Sequence, residues 1–342
     1  MKAIVFDRHG GPEVLKYSEV PEPQLGARDV LVRVRACALN HLDLWVRGGL
    51  PGVAIPLPHI PGSDISGEVA KVGAEVKRVS VGQKVLLAPG VSCGRCAACL
   101  AGEDNKCPEF SNLGYIHDGG CAEFVRCPEV NCFAYPEKLS FEEAAAVPLV
   151  FQTAWHMLIG RAELQPGEEV LVLGAGSGVG SAAIQIAKFF GCRVIATAGS
   201  EEKLAKAKEL GADETIHHHR EKIREAVRKF TGKRGVDVVF EHVGTATWDD
   251  SVASLARGGR LVTCGATTGF DAKIDLRFLF SRQLSILGSY MGTKDEFATV
   301  LKLVASGKLK PVVDKILALA ECRAAHEYLE SGAQFGKVVL KV

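Results

Sequence analysis

The chain has 342 residues, 47% of them hydrophobic and 24% charged, the composition of a folded protein with room for two cores. Lysine plus arginine number 41 against 40 for aspartate plus glutamate, and a net charge of +1 excludes an electrostatic footprint for nucleic acid or an anionic membrane. No stretch reaches the roughly 18 uncharged apolar residues of a spanning helix, and Asp7 arrives too early for a signal peptide, so a cytoplasmic protein is expected.

The first 130 or so residues read as short strands and turns. Residues 30–35 and 67–72 are rich in β-branched side chains and partly alternate, with Gly10-Gly11-Pro12 and Pro56-Leu57-Pro58 as punctuation. An antiparallel, barrel-like β domain is expected there. Inside it, Cys93, Cys96, Cys99 and Cys107 offer four thiolates at spacings that suit one tetrahedral zinc, with Gly94 and Gly102 supplying turns. An all-thiolate shell leaves no position open for water or substrate, so the zinc is expected to be structural; an iron–sulfur cluster is the competing use. The cysteines total 11, an odd number without an export signal, which argues against a disulfide framework. The others read as buried thiols.

Near Pro136 the pattern changes. Ser140 and Glu143 form a capping box at the start of a helix. Strands are then expected at 169–173, 193–197, 236–240, 259–264 and 284–287, with helices at 178–190 and 201–210, the latter closed by Gly211. Strand–helix alternation implies a doubly wound parallel sheet covered on both faces. His217-His218-His219 reads as a solvated loop. From about residue 292 a helix and a last strand at 337–342 are expected.

The strand 169–173 runs into Gly174-Ala175-Gly176-Ser177-Gly178-Val179-Gly180 and then a helix. Glycines let the backbone turn tightly and approach a pyrophosphate at the helix N-terminus. The strict G-x-G-x-x-G spacing fails because Val179 takes the last glycine's place, but the strand–turn–helix context compensates. The second strand ends Thr197-Ala198-Gly199-Ser200, without the acid that binds the ribose 2′-hydroxyl of NAD. Ser200 and Lys203 can bind a 2′-phosphate, so NADP(H) is expected over NAD(H), unless Ser200 is only a helix cap.

Together these motifs resemble the medium-chain dehydrogenase/reductase superfamily over nearly the whole chain. The cysteine lobe is similar to the zinc alcohol dehydrogenases. Residues 10–15, Asn40-His41-Leu42-Asp43, Gly62-Ser63-Asp64 and the glycine turn are similar to the quinone oxidoreductases. The resemblance implies a GroES-like catalytic domain (1–135 plus 292–342) and a Rossmann domain (136–291) in an NAD(P)-dependent oxidoreductase of small molecules. Where zinc alcohol dehydrogenases hold a catalytic zinc, this chain has Asn40, Ser63 and the cysteine-free segment Pro148-Leu149-Val150-Phe151. An amide, a hydroxyl and alkyl groups are poor zinc ligands. His41, Asp43, His59 and Asp64 leave an unusual metal site open.

Without a Lewis acid, the expected reaction is reduction of quinones or activated C=C bonds. Asn40 is the expected donor to the developing oxygen, with Asp43 orienting Asn40 or its loop and Asp64 anchoring the network, unless both acids are structural residues at turns. Alcohol–aldehyde interconversion and a non-catalytic dinucleotide-binding role are the alternatives. By resemblance, Thr153 lies near the nicotinamide, His41 at the pyrophosphate and Val243 by the adenosine; they join Gly174, Gly176, Ser177, Gly178, Val179, Ser200 and Lys203 in the cofactor set. Relatives pair the sheet edge at 284–290 across a two-fold axis, implying a homodimer or homotetramer.

Overall fold

A computed structural model describes residues 1–342, which divide into two compact units: Met1–Leu149 with Thr293–Val342, and Val150–Gly292. In the first unit, strand Asp29–Ala38 pairs antiparallel with Asp64–Val72, Phe124–Pro128 and Lys337–Lys341. The sheet has seven strands and continues through Lys84–Leu87 to Cys132–Ala134; at its other end Val313–Ala318 lies parallel to Lys337–Lys341. Val30, Val32 and Val34 share one face of the central strand and meet Ile65, Val69, Val85, Leu87, Val338 and Leu340 in the core. Burying one such side chain is worth roughly 1.5–3 kcal/mol. The C-terminal part holds more than the expected helix and strand. Helices Lys294–Ala305 and Cys322–Glu330 are both present, with Val313–Ala318 between them. That strand is half exposed and nowhere fully buried at the sheet's edge, so it carries no apolar alternation to read.

The boundary between units falls at Leu149, not at residue 135. The capping box at Ser140 forms as read, with Ser140 Oγ accepting from Glu143 N (3.2 Å) and Glu143 accepting from Ser140 N (2.8 Å). Its helix, Phe141–Ala145, packs on the first sheet. Ser66 Oγ donates to the Phe141 carbonyl (2.6 Å), and Ala145 is buried with Ala36, Ala38 and Val339. Packing therefore assigns it to the first unit.

The second unit is built on six parallel strands in the order Glu214–His217, Arg193–Ala198, Glu169–Val172, Val236–Glu241, Leu255–Thr263, Ser285–Gly288. Numbered along the chain this is 3-2-1-4-5-6, whose order reverses between the first and fourth strands. Val170, Leu171, Val172, Val238, Val239 and Phe240 are fully buried, as a sheet covered on both faces requires. The strand Glu214–His217 escapes sequence reading because Ile216 is its one large apolar residue. No helix is long and apolar enough to cross a membrane.

Candidate active site

The glycine turn leaves strand Glu169–Val172 where the strand order reverses, the place at which doubly wound sheets bind ligands. Gly174 has φ +58°, and a Cβ there would stand 3.0 Å from His242 Cε1. Its N–H donates to Thr197 Oγ1 (3.1 Å), tying the turn to the second strand. Ser177 caps helix Gly178–Phe189, its Oγ accepting from Gly180 N (2.9 Å). A Cβ on Gly180 would fall 2.4 Å from the Gly174 carbonyl oxygen. Gly180 is thus the glycine that close helix–strand packing demands, and Val179 takes over no glycine's task.

A buried carboxylate that sequence reading missed organises the neighbouring loop. Glu241 accepts from Val243 N (2.5 Å) and Gly244 N (3.0 Å) through one oxygen, and from the Thr247 (2.9 Å) and Ser251 (2.6 Å) hydroxyls through the other. The loop carrying Val243 is held by these bonds. An isolated acid at the end of an apolar strand is the available signal. His242 beside it is kept neutral by burial, and its Nε2 lies 2.8 Å from the Leu173 carbonyl and 3.3 Å from Ser177 Oγ. Thr153 is buried in helix Pro148–Trp155 with its hydroxyl 3.9 Å from Met291 Sδ.

At the end of the second strand Ala198 is buried, and Ser200 caps helix Glu201–Glu209, accepting from Lys203 N (3.3 Å). The three histidines are a solvated loop only in part: in the turn after the third strand His218 is half-buried and His219 exposed. His217 is the last residue of the third strand, opposite Ala198, and is buried. His218 Nδ1 lies 3.4 Å from Thr197 Oγ1, and its ring meets His219 edge-on at 4.5 Å. A Cβ on Gly199 would sit 2.7 Å from His219 Nε2 and 3.0 Å from His218 Nε2. Burial pushes the His218 pKa down to about 4, helped by the charges of His219, His217 and Lys203.

A group whose folded pKa is depressed below its unfolded value binds fewer protons in the folded state at mildly acid pH. Stability from His218 is therefore complete above about pH 6.5, the unfolded value, and is lost as pH falls toward 4. Urea midpoints measured across that window should drop, and His218→Asn should flatten the drop.

In the first unit, Asn40 precedes helix His41–Gly48. Asp43, wholly buried, accepts from Asn40 N (2.7 Å) and Gly62 N (2.8 Å), and burial pushes its pKa up. It staples the helix start to the loop that carries Ser63. Asp64 accepts from Asn40 Nδ2 (3.0 Å), Lys337 Nζ (2.8 Å) and Leu149 N (2.7 Å), while Lys337 also donates to Asn40 Oδ1 (2.5 Å). Lys337 is only 3% exposed and cancels the buried Asp64 charge. It lies too far along the chain for sequence spacing to connect it. Ser63 is buried, with no partner for its hydroxyl. His41 packs its ring against Trp45 at 6.3 Å, and His59 against Phe6 at 5.5 Å.

Metal-ligating atoms gather in groups of three or more only at Cys93, Cys96, Cys99 and Cys107, all within 4.8 Å of one another. His41, Asp43, His59 and Asp64 are not brought together as such a group. Tetrahedral Zn–S bonds of about 2.3 Å place sulfurs about 3.8 Å apart, and Cys93 Sγ to Cys99 Sγ is 4.0 Å. Backbone N–H groups of Cys96 and Cys93 point at Cys93 Sγ (3.3 Å) and Cys107 Sγ (3.4 Å), as thiolates require. Gly94 (φ +70°) and Gly102 (φ +78°) make the turns. Lys294 anchors the lobe through Asp104 (2.7 Å).

Comparison with known proteins follows the same division. Residues 26–137 match the alcohol dehydrogenase GroES-like domain, and residues 178–306 match the zinc-binding dehydrogenase family. The NAD-dependent alcohol dehydrogenase of Sulfolobus acidocaldarius is 35% identical over 100% of both chains. The chain belongs to the medium-chain dehydrogenase/reductase superfamily. Within it, the chain is similar both to zinc-type alcohol dehydrogenases and to human quinone oxidoreductase, which is 30% identical over 99% of this chain and 97% of its own length. A solved structure named NAD-dependent alcohol dehydrogenase superposes with a TM-score of 0.97 at 49% identity, covering 100% of each chain. This member of the superfamily is an NAD(P)-dependent oxidoreductase with a GroES-like and a Rossmann-like unit, and the non-catalytic alternative falls. The zinc-binding match and the thiolate geometry together identify the cysteine lobe as a structural zinc site rather than an iron–sulfur site.

Proposed function

We propose that this dehydrogenase exchanges hydride with small carbonyl compounds without a metal at Asn40, Ser63 and Asp64. Two substrate classes compete. Kinship favours alcohol–carbonyl interconversion, since the relatives named alcohol dehydrogenases are more similar, at 49% and 35% identity, than the quinone oxidoreductase at 30%. The donor set favours quinones and carbonyl-conjugated alkenes, and this is the reading the geometry supports best.

The observation that carries it is the Asn40–Asp64–Lys337 network. The Asn40 carbonyl faces an ammonium group, Asp64 is fully engaged, and Ser63 offers a neutral hydroxyl. That set does not fit a second zinc, which wants thiolates or imidazoles. Alcohol oxidation then lacks the Lewis acid that lowers a hydroxyl pKa. Reduction of a conjugated C=C needs only a hydrogen-bond donor for the developing oxygen, and Asn40 Nδ2 keeps one N–H beyond the one given to Asp64. Asp43 positions Asn40 through its backbone, and Asp64 through its side chain. The nicotinamide nucleotide, when bound, supplies the hydride. Rates for 1,2-quinones and enals against primary and secondary alcohols test the choice; turnover of alcohols alone defeats it.

For the nucleotide we propose that Gly174, Gly176, Ser177, Gly178 and Val179 face the pyrophosphate. Thr153 serves the nicotinamide and Val243 the adenosine. NADP(H) is preferred. Support comes from the missing acid at Ala198 and from the cationic or neutral rim of Lys203, His218 and Ser200, whose oxygen accepts in the cap and whose O–H is left to donate to a phosphate oxygen. Ala198→Asp should reverse the preference by repelling a 2′-phosphate, with a loss of about 1.5–3 kcal/mol, tenfold or more in NADPH affinity. Fluorescence titration at fixed salt measures it, and tighter NADH binding by the unmodified protein contradicts it.

We further propose that two copies pair through Ser285–Gly288, the open edge of the six-stranded sheet. Leu276, Phe280 and Tyr290 nearby are 67%, 70% and 52% exposed, more apolar surface than a lone edge comfortably shows. Light scattering should report a dimer or tetramer at micromolar concentration; a monomer contradicts this.

A further inference from the structure

The nucleotide turn uses the C-terminal ends of the second unit's strands. At the opposite ends, where Val236–Glu241 and Leu255–Thr263 begin, lies a cavity of about 570 Å³. It has the size of a small-molecule site, roughly 300–1,000 Å³. At about 3.3 Å per residue, a strand of this length separates the two ends by roughly 17 Å. The lining brings together Arg228, Lys229, Lys233, Arg234 and Arg282 with Glu225 as the one carboxylate.

Arg234 is committed to Asp237 and Glu169. Arg228, Lys229 and Lys233 have no carboxylate in ion-pair contact. Arg282 is held by the Leu255 carbonyl (2.6 Å) and lies over the Phe278 ring at 4.6 Å. Its pKa is pulled down by burial and by the charges of Arg228 and Arg257, a sign of cations crowded without counter-charge. Arg228 and Lys229 sit in the last turn of helix Ile223–Phe230 and complement its carbonyl end. Lys233 and Arg282 come from other segments, and the helix end does not account for them. A concave wall carrying four cations that make no ion pair focuses a field that an anion relieves.

We propose that this cavity binds an oligophosphate chain, either free or as part of a nucleoside polyphosphate. Its several charges match several cations, where a monoanion would leave most of them facing one another. The site is separate from the nucleotide turn and independent of the substrate reading.

The test is calorimetric titration of inorganic tripolyphosphate and, separately, ATP into protein saturated with nicotinamide nucleotide, at fixed ionic strength. Saturable one-to-one binding is expected, weakened roughly tenfold or more in Arg228→Glu/Lys233→Glu, as loss of two charge-assisted contacts implies. Lys302→Glu, an exposed lysine on a helix of the other unit, should leave it unchanged. Equal affinity for both ligands assigns recognition to the phosphate chain; tighter ATP binding adds the nucleoside. Both outcomes support the site. Absence of saturable binding, equal weakening by Lys302→Glu, or displacement of tripolyphosphate by nicotinamide nucleotide overturns it. Both altered side chains are exposed, and unchanged melting without ligand checks that the variant folds.

Discussion

Lys337→Met should lower the unfolding free energy by about 3–5 kcal/mol, because it strips a buried carboxylate of its counter-ion. Asp64 is completely buried, and its remaining partners, the Asn40 amide and Leu149 N, are neutral. Burial of an unpaired charge costs far more than the pair contributes, so the loss exceeds that of an ordinary surface substitution. Urea unfolding reads it. Lys337→Met combined with Asp64→Asn should recover much of the stability, since no buried charge remains. Recovery of stability without recovery of quinone or enone reduction would show that the network also positions Asn40. A single variant as stable as the parent contradicts the ion pair.

Cys99→Ser is expected to have the second large effect. Residues around the cysteine lobe are mostly exposed or half-buried, Cys107 being an exception, so little apolar burial holds the lobe. A four-thiolate zinc can contribute on the order of 10 kcal/mol to folding its site. The global loss will be smaller, because the lobe can open locally while the sheet stays closed. The variant should lose its zinc, melt several degrees lower, and become sensitive to protease between residues 92 and 108. Lys294 and Asp104 would part with it. Full zinc content with unchanged melting contradicts the assignment.

Much of this was legible in the chain because local chemistry and tertiary structure agree. The capping box at Ser140, the buried strand before Gly174 and the cysteine spacing each demand a geometry that few sequences satisfy by accident. What escaped depends on distance or exposure. Lys337 reaches Asn40 and Asp64 only after the last strand pairs with Asp29–Ala38. Val313–Ala318 is an exposed edge without a pattern, and Glu214–His217 carries a single large apolar residue. The polarity of the histidine run hides the sheet that seats His217 against Ala198. Spacing aligns Val179 with a glycine position, whereas the 2.4 Å approach to the Gly174 carbonyl singles out Gly180.

The central claim is that hydride transfer proceeds without a metal at Asn40, Ser63 and Asp64. Elemental analysis of purified protein, with anomalous scattering at the zinc edge from its crystals, tests it most directly. One zinc per chain, placed among Cys93, Cys96, Cys99 and Cys107, in protein that reduces an enone or quinone is the predicted result. Two zincs per chain, the second beside Asn40 and Asp64, would contradict it and move the protein to metal-assisted alcohol–carbonyl interconversion.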